Sequence, residues 1–156
     1  MRRKEKGPQI RGIMVPVDFS SYSKQAVNYA AMIAKKFNVG IVLAHVIDSL
    51  SYSVTDTLKV IEHRRALETI AGTLLDNLSK QLREKNLKVK TYLVSGAPYR
   101  EILKKTQLEK VDLIVMGTHG RTGVAHLLLG SVAERVVRLS PCSVLTVRLS
   151  SGNRRK

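Results

Sequence analysis

The feature that most limits what this chain can fold into is an alternation of two hydrophobic periods along its length. Five short apolar runs stand out: "GIMVPV" (12–17), "GIVLAHVI" (40–47), "LKVKTYLV" (87–94), "VDLIVMG" (111–117) and "CSVLTVRL" (142–149). Between them, apolar residues recur at three- and four-residue steps, the period of a helix with one buried face. The first helical stretch follows Ser20 and sets Ala26, Val27, Ala30, Ile33, Ala34 and Phe37 on one side. The second runs from about Thr55 to Lys85, with Leu58, Ile61, Leu67, Ile70, Leu74, Leu78 and Leu82 in register. A third opens on Pro98, a residue suited to a first helical turn, and reaches about Leu108; a fourth spans Val132 to Leu139, before Pro141. Strands alternating with helices predict an α/β fold: one Rossmann-like domain, a five-stranded parallel sheet with right-handed crossovers and helices on both faces. The polar and apolar alternation of "LKVKTYLV" suits a strand near a sheet edge, whereas "VDLIVMG" suits one buried on both faces. In such sheets ligands bind beyond the carboxyl ends of the strands, where the strand order reverses.

Composition agrees with a single domain over residues 1–156. The chain is 44% hydrophobic and 25% charged, ordinary for a globular protein large enough to bury a core. No apolar run approaches the roughly 20 residues of a membrane span. The opening "MRRKEKGPQIRG" lacks the apolar segment of a signal peptide, so a cytoplasmic location is expected. The single cysteine, Cys142, excludes an intramolecular disulfide and a cysteine-rich metal site, and its apolar surroundings read as those of a buried, inert thiol. Net charge is +15. The basic tails, 1–10 and 150–156, account for much of it: residues 1–11 hold five basic residues against one acidic, and 150–156 hold three more basic. Basic tails can bind a polyanion, which keeps a nucleic-acid-binding domain open as an alternative, although aromatic residues at 4% offer little base stacking.

The chemistry-bearing stretch is "MGTHGRTGVAHLLLGSVAERVV" (116–137), which joins the fourth strand to the last helix. No Gly-x4-Gly-Lys-(Ser/Thr) loop is present, and the first strand leads into "VDFSSYSK" rather than Gly-x-Gly-x2-Gly. Neither a zinc-protease helix, a hydrolase elbow nor a metal-ligand spacing occurs. The glycines still run from a strand's carboxyl end to a helix N-terminus, where backbone amides and the helix dipole favour an anion. His119 and Arg121 add donors beside it. Ser131 and Glu134 match a capping box, which makes Ser131 the expected N-cap. Two readings stay open at this point: the glycines serve only to turn the chain, or they let a phosphate approach its amides.

The spacing Gly-x2-Gly-x9-Gly-Ser, held by Gly117, Gly120, Gly130 and Ser131, resembles the motif of the ATP-binding branch of the universal stress protein family. "MVPVDFSSYSKQAV" and "LAHVID" are similar to further family segments, and the resemblance runs from about Arg11 to Arg148. It implies strand order 3-2-1-4-5 and an ATP site built at the switch point. There Gly117 and Gly120 would line the ribose and first phosphate, while Gly130, Ser131 and Val132 hold the phosphate chain. Asp18 would face the adenosine end, Val46 would meet adenine through its backbone, and Pro16 and Met116 would form apolar walls. Val17, His119 and Arg121 are the remaining candidates. The implied function is a nucleotide-dependent stress-response module, with ATP as ligand, accompanied by Mg²⁺ or Mn²⁺, and slow ATP hydrolysis as an alternative. No catalytic residue is assigned, because no general base or Walker-type lysine is evident. Family members often dimerise through the last strand, here Cys142 to Leu149, so a homodimer is expected.

Overall fold

A computed structural model of the chain describes residues 9–48, 57–120 and 129–149. Its elements are β1 (Gly12–Pro16), α1 (Ser21–Phe37), β2 (Gly40–Asp48), α2 (Thr57–Glu84), β3 (Val89–Gly96), α3 (Pro98–Leu108), β4 (Leu113–Gly117), α4 (Ser131–Leu139) and β5 (Ser143–Val147). The five strands form one parallel sheet in the order β3-β2-β1-β4-β5, as expected from the sequence. Among the described residues no helix is long and apolar enough to cross a membrane.

Side-chain alternation on the central strands sorts the core into two layers. Ile13 and Val15 of β1, Ile41 and Leu43 of β2, and Leu113 and Val115 of β4 face α1 and α2, meeting Ala26, Val27, Ala30, Ala34, Leu75 and Leu82. Met14, Val42, Ala44, Ile114 and Met116 face α3 and α4, meeting Ile102, Ala133 and Val136. Because both faces are covered, β4 is buried at every position, and "LIVMG" carries no polar side chain. Burying these apolar surfaces against two helical layers is the main force that fixes the register.

Two expectations about helix faces are corrected. Phe37 is exposed: Asn38 turns left-handed (φ 54°) to end α1, and Val39 packs on the core instead. On α2 the buried stripe is Ala71, Leu75, Ser79 and Leu82, whereas Ile70 and Leu74 are exposed. The small residues Ala71 and Ser79 let the helix lie close to the sheet. Ser79 tolerates burial because its hydroxyl donates to the Asp76 carbonyl at 2.9 Å.

Candidate functional site

Strand order 3-2-1-4-5 makes β1 and β4 neighbours while their following helices depart to opposite faces, which opens a crevice between the two strand ends. Val17 extends the ladder one residue beyond β1 by donating to the Ala44 carbonyl at 2.9 Å. The chain then reverses at Phe19, whose left-handed backbone (φ 64°) is unusual for a non-glycine residue. This reversal brings the Ser20 amide (3.0 Å) and hydroxyl (2.6 Å) onto Asp18 Oδ1. Ser20 in turn caps α1, its Oγ accepting from the Ser23 amide at 3.2 Å. Buried His45 braces the reversal, with Nδ1 2.7 Å from the Val17 carbonyl oxygen and its ring 4.7 Å from that of Phe19.

The exit of β4 is built differently. Thr118 continues the ladder to the Val147 carbonyl at 3.0 Å, and its own carbonyl accepts from the Gly130 amide at 2.7 Å. Gly117 sits where α1 passes closest: a Cβ there would lie 2.7 Å from Tyr22 Cβ and 2.9 Å from the Tyr22 carbonyl carbon, so only glycine fits undisturbed. Gly120 lies against Asp18, since a Cβ on it would come within 3.0 Å of Oδ2. His119 reaches back to Thr118 Oγ1 at 3.1 Å, and its ring is 5.2 Å from that of Tyr22.

Helix α4 begins one residue earlier than expected. Its N-cap is Gly130, in extended conformation (φ −68°, ψ 157°), and the Gly130 carbonyl accepts from the Glu134 amide at 2.9 Å. Ser131 is therefore the first helical residue, and the capping-box expectation is wrong. The Gly130–Thr118 bond fixes residue 130 outside the helix, which leaves Ser131 one place too far in to cap. Among the described residues no side chain caps α4. Helix geometry leaves the amides of Ser131, Val132 and Ala133 without intrahelical acceptors.

These two strand ends share one cavity of about 200 Å³. Eleven of the predicted residues line it: Pro16, Val17, Asp18, Val46, Met116, Gly117, His119, Gly120, Gly130, Ser131 and Val132. Arg121 lies outside the described residues, as do Gly123, His126, residues 1–8 and residues 150–156. Sequence reading missed Ser23, Ala44, Pro98, Ile102 and Ala133, which complete the lining. Ile102 is the most informative of them: its helical spacing from Pro98 puts both on one face of α3, and that face closes the cavity. Ala44, Val46, Ile102 and Met116 make an apolar slot suited to a flat ring, and the uncapped α4 terminus lies beside it. Among the described residues no group of three or more His, Cys, Asp or Glu side chains could hold a metal ion.

The perturbed carboxyls lie elsewhere. The Lys90 ammonium, followed by the Tyr92 hydroxyl, hydrogen-bonds Glu109 and holds its carboxyl below the ordinary 4.5, and Arg11 does the same for Asp112 at the amino end of the sheet. Cys142 is half-buried, more open than expected, because Ser140 bends the chain there, its hydroxyl donating to the Cys142 carbonyl at 2.8 Å.

Residues 9–148 match the model of the universal stress protein family. Universal stress protein MJ0577 of Methanocaldococcus jannaschii is 33% identical over 151 residues, covering 87% of this chain and 93% of the relative. Its solved structure superposes with a TM-score of 0.82 at 32% identity, covering 93% of this chain and all of that one. Universal stress protein MJ0531 of the same organism is 34% identical over 145 residues, covering 87% and 81% of the two chains. A universal stress protein in complex with cAMP shares the fold at a TM-score of 0.67 and 24% identity, covering 92% of this chain and all of that one.

Proposed function

The chain belongs to the universal stress protein family, and from that premise we propose that it is a cytoplasmic, ATP-binding regulatory module of the stress response. One observation carries the reading: the uncapped α4 N-terminus opens into the same cavity as an apolar slot at the β1/β4 switch point. Adenine would lie in the slot against Val46 and Met116, and the ribose beside Gly117 and Gly120. The phosphates would rest on the amides of Ser131, Val132 and Ala133, where the helix dipole and unpaired donors favour negative charge. The Ser131 hydroxyl, not engaged in capping, is available to donate. Asp18, already turned toward Ser20, keeps phosphate away from the β1 end by like-charge repulsion and so orients the nucleotide. The solved complex with cAMP puts an adenine nucleotide in another protein of this fold, which agrees with the ligand class.

No general base is assigned among the described residues of the cavity, and the reading we propose is a module that acts by binding, with turnover far below the enzyme median of about 10 s⁻¹. Calorimetry of the purified protein with ATP, with and without Mg²⁺, tests the reading. Saturable one-to-one binding is expected, and its absence at millimolar ATP would refute it.

The partner we propose is a second copy of the chain. β5 is a sheet edge whose outward Leu145 is 36% exposed and is followed by exposed Leu149. Antiparallel pairing of two such edges would satisfy their amides and cover both leucines. Val147, already buried in the single chain, would contribute nothing more. Light scattering at tens of micromolar is expected to give a dimer mass, and a monomer mass would remove this part.

A further inference from the structure

Next to the cavity lies a second one of about 270 Å³, and Ser131 and Val132 line both. It sits between the N-termini of α3 and α4, and neither helix has a side-chain cap among the described residues. Two arginines border it, Arg100 from α3 and Arg135 from α4. Tyr99, between them, positions both: Arg100 Nε donates to its hydroxyl at 2.9 Å, and the Arg135 guanidinium stands 5.1 Å from its ring centre. Neither arginine forms an ion pair among the described residues. A guanidinium held beside a cavity without a carboxylate partner is a ready bidentate site for phosphate. Among the described residues of the lining, Asp48 is the one carboxylate against two guanidiniums.

We infer that this second cavity receives the terminal phosphates of the nucleotide and that Arg100 and Arg135 read the length of its phosphate chain. The inference rests on the adenine-nucleotide reading of the first cavity. A chain that passes the Ser131 and Val132 amides enters the second cavity directly, because those two residues, with Pro98, line both cavities as a shared wall. A nucleoside triphosphate extends farther past that wall than a monophosphate, toward the cavity that both guanidiniums border. A monophosphate or a cyclic nucleotide ends at the shared wall and gains nothing from them. The site therefore ranks ligands as ATP above ADP, with AMP and cyclic AMP weakest, and the arginines are specificity-determining residues rather than part of the primary site.

The test is calorimetry with ATP, ADP, AMP and cyclic AMP on the parent, on the pair Arg100→Gln/Arg135→Gln and on the pair Arg100→Lys/Arg135→Lys, with melting curves for each. The parent is expected to prefer ATP over AMP by tenfold or more. The glutamine pair should lose most of that ratio while AMP affinity changes less than twofold, and the lysine pair should keep part of it. Should the glutamine pair unfold, the lysine pair and each single glutamine variant carry the same comparison. An unchanged ATP-to-AMP ratio in the glutamine variants overturns the inference and leaves the nucleotide reading intact. Equal binding of ATP and AMP by the parent does the same. Failure of the parent to bind any of the four overturns both.

Discussion

Two helices start within reach of the same crevice, and their first turns are finished in opposite ways. The amino end of α1 is closed by its own side chains: Ser20 caps it and Asp18 ties Ser20 in place. The amino end of α4 is left open, its cap a glycine held by the Thr118 carbonyl. Both ends face the same requirement, since every helix begins with amides that lack intrahelical acceptors. One meets it with its own side chains, and the other has no side-chain partner among the described residues. The contrast marks the α4 end as the place where a bound anion would find free donors, with Glu134 the acidic side chain of that first turn.

The contrast can be broken at its joint. Gly117 is the point where α1 passes the β4 exit, and Gly117→Ala drives a Cβ into Tyr22. Overpacking of this kind costs about 1–3 kcal/mol, and here the clash includes backbone, so a loss near the upper end is expected in urea unfolding. Gly130→Val acts at the open end. Its Cβ would sit in contact, 3.4 Å from the Thr118 carbonyl oxygen and 3.4 Å from His119 Cα, and the two methyls of valine would add bulk beside the cavity. ATP affinity is expected to fall tenfold or more, about 1.4 kcal/mol by calorimetry. Ser20→Ala opens the closed end, and the lost cap should lower stability by about 1 kcal/mol in thermal or chemical melts. If the melts instead showed no change, the side-chain closure of α1 would be energetically idle and the contrast would lose one of its sides.

The smallest effect belongs to a control remote from both ends. Glu109 is held below its ordinary 4.5 first by the Lys90 hydrogen bond and then by Tyr92. A carboxyl lowered in the folded state adds stability that is fully present above its unfolded value and is lost as pH falls through the folded one. Glu109→Gln should therefore destabilise at pH 7 by less than about 1 kcal/mol, with the difference from the parent shrinking below about pH 4. Nucleotide affinity should not change.

The alternation of strands and helices was legible because it rests on periodicity, whereas the strand order followed from the family resemblance. Ile13, Met14 and Val15 alternate between two buried layers, and that pattern is visible in the sequence. The glycine spacing led to residues that share one cavity with Asp18 and Val46, although these are far apart along the chain. Features set by the local backbone were not legible. Phe19 turns left-handed without being glycine or asparagine, so no residue type marks the reversal that positions Asp18. Ser131 satisfied a capping box on paper, but the bond from the Gly130 amide to the Thr118 carbonyl moved the helix start by one residue. The buried stripe of α2 was misplaced because Ala71 and Ser79 give a weaker hydropathic signal than the leucines beside them. Arg100 and Arg135 went unnoticed because they come from separate helices and meet only through Tyr99.

The central claim is that the α4 terminus is left open for phosphate, and Ser131→Asp tests it most directly. Ser131 is the first helical residue and caps nothing, so the exchange removes no internal hydrogen bond. A carboxylate in the first turn complements the helix dipole by about 0.3–1 kcal/mol, so the free protein should melt at the same temperature or slightly higher. The same carboxylate stands where phosphate would rest and repels it. Calorimetry on the folded variant is expected to show ATP affinity reduced tenfold or more, with stability and binding moving in opposite directions. A Ser131→Asp variant that binds ATP as tightly as the parent would contradict the account, and the glycine stretch would then be a turn and nothing more.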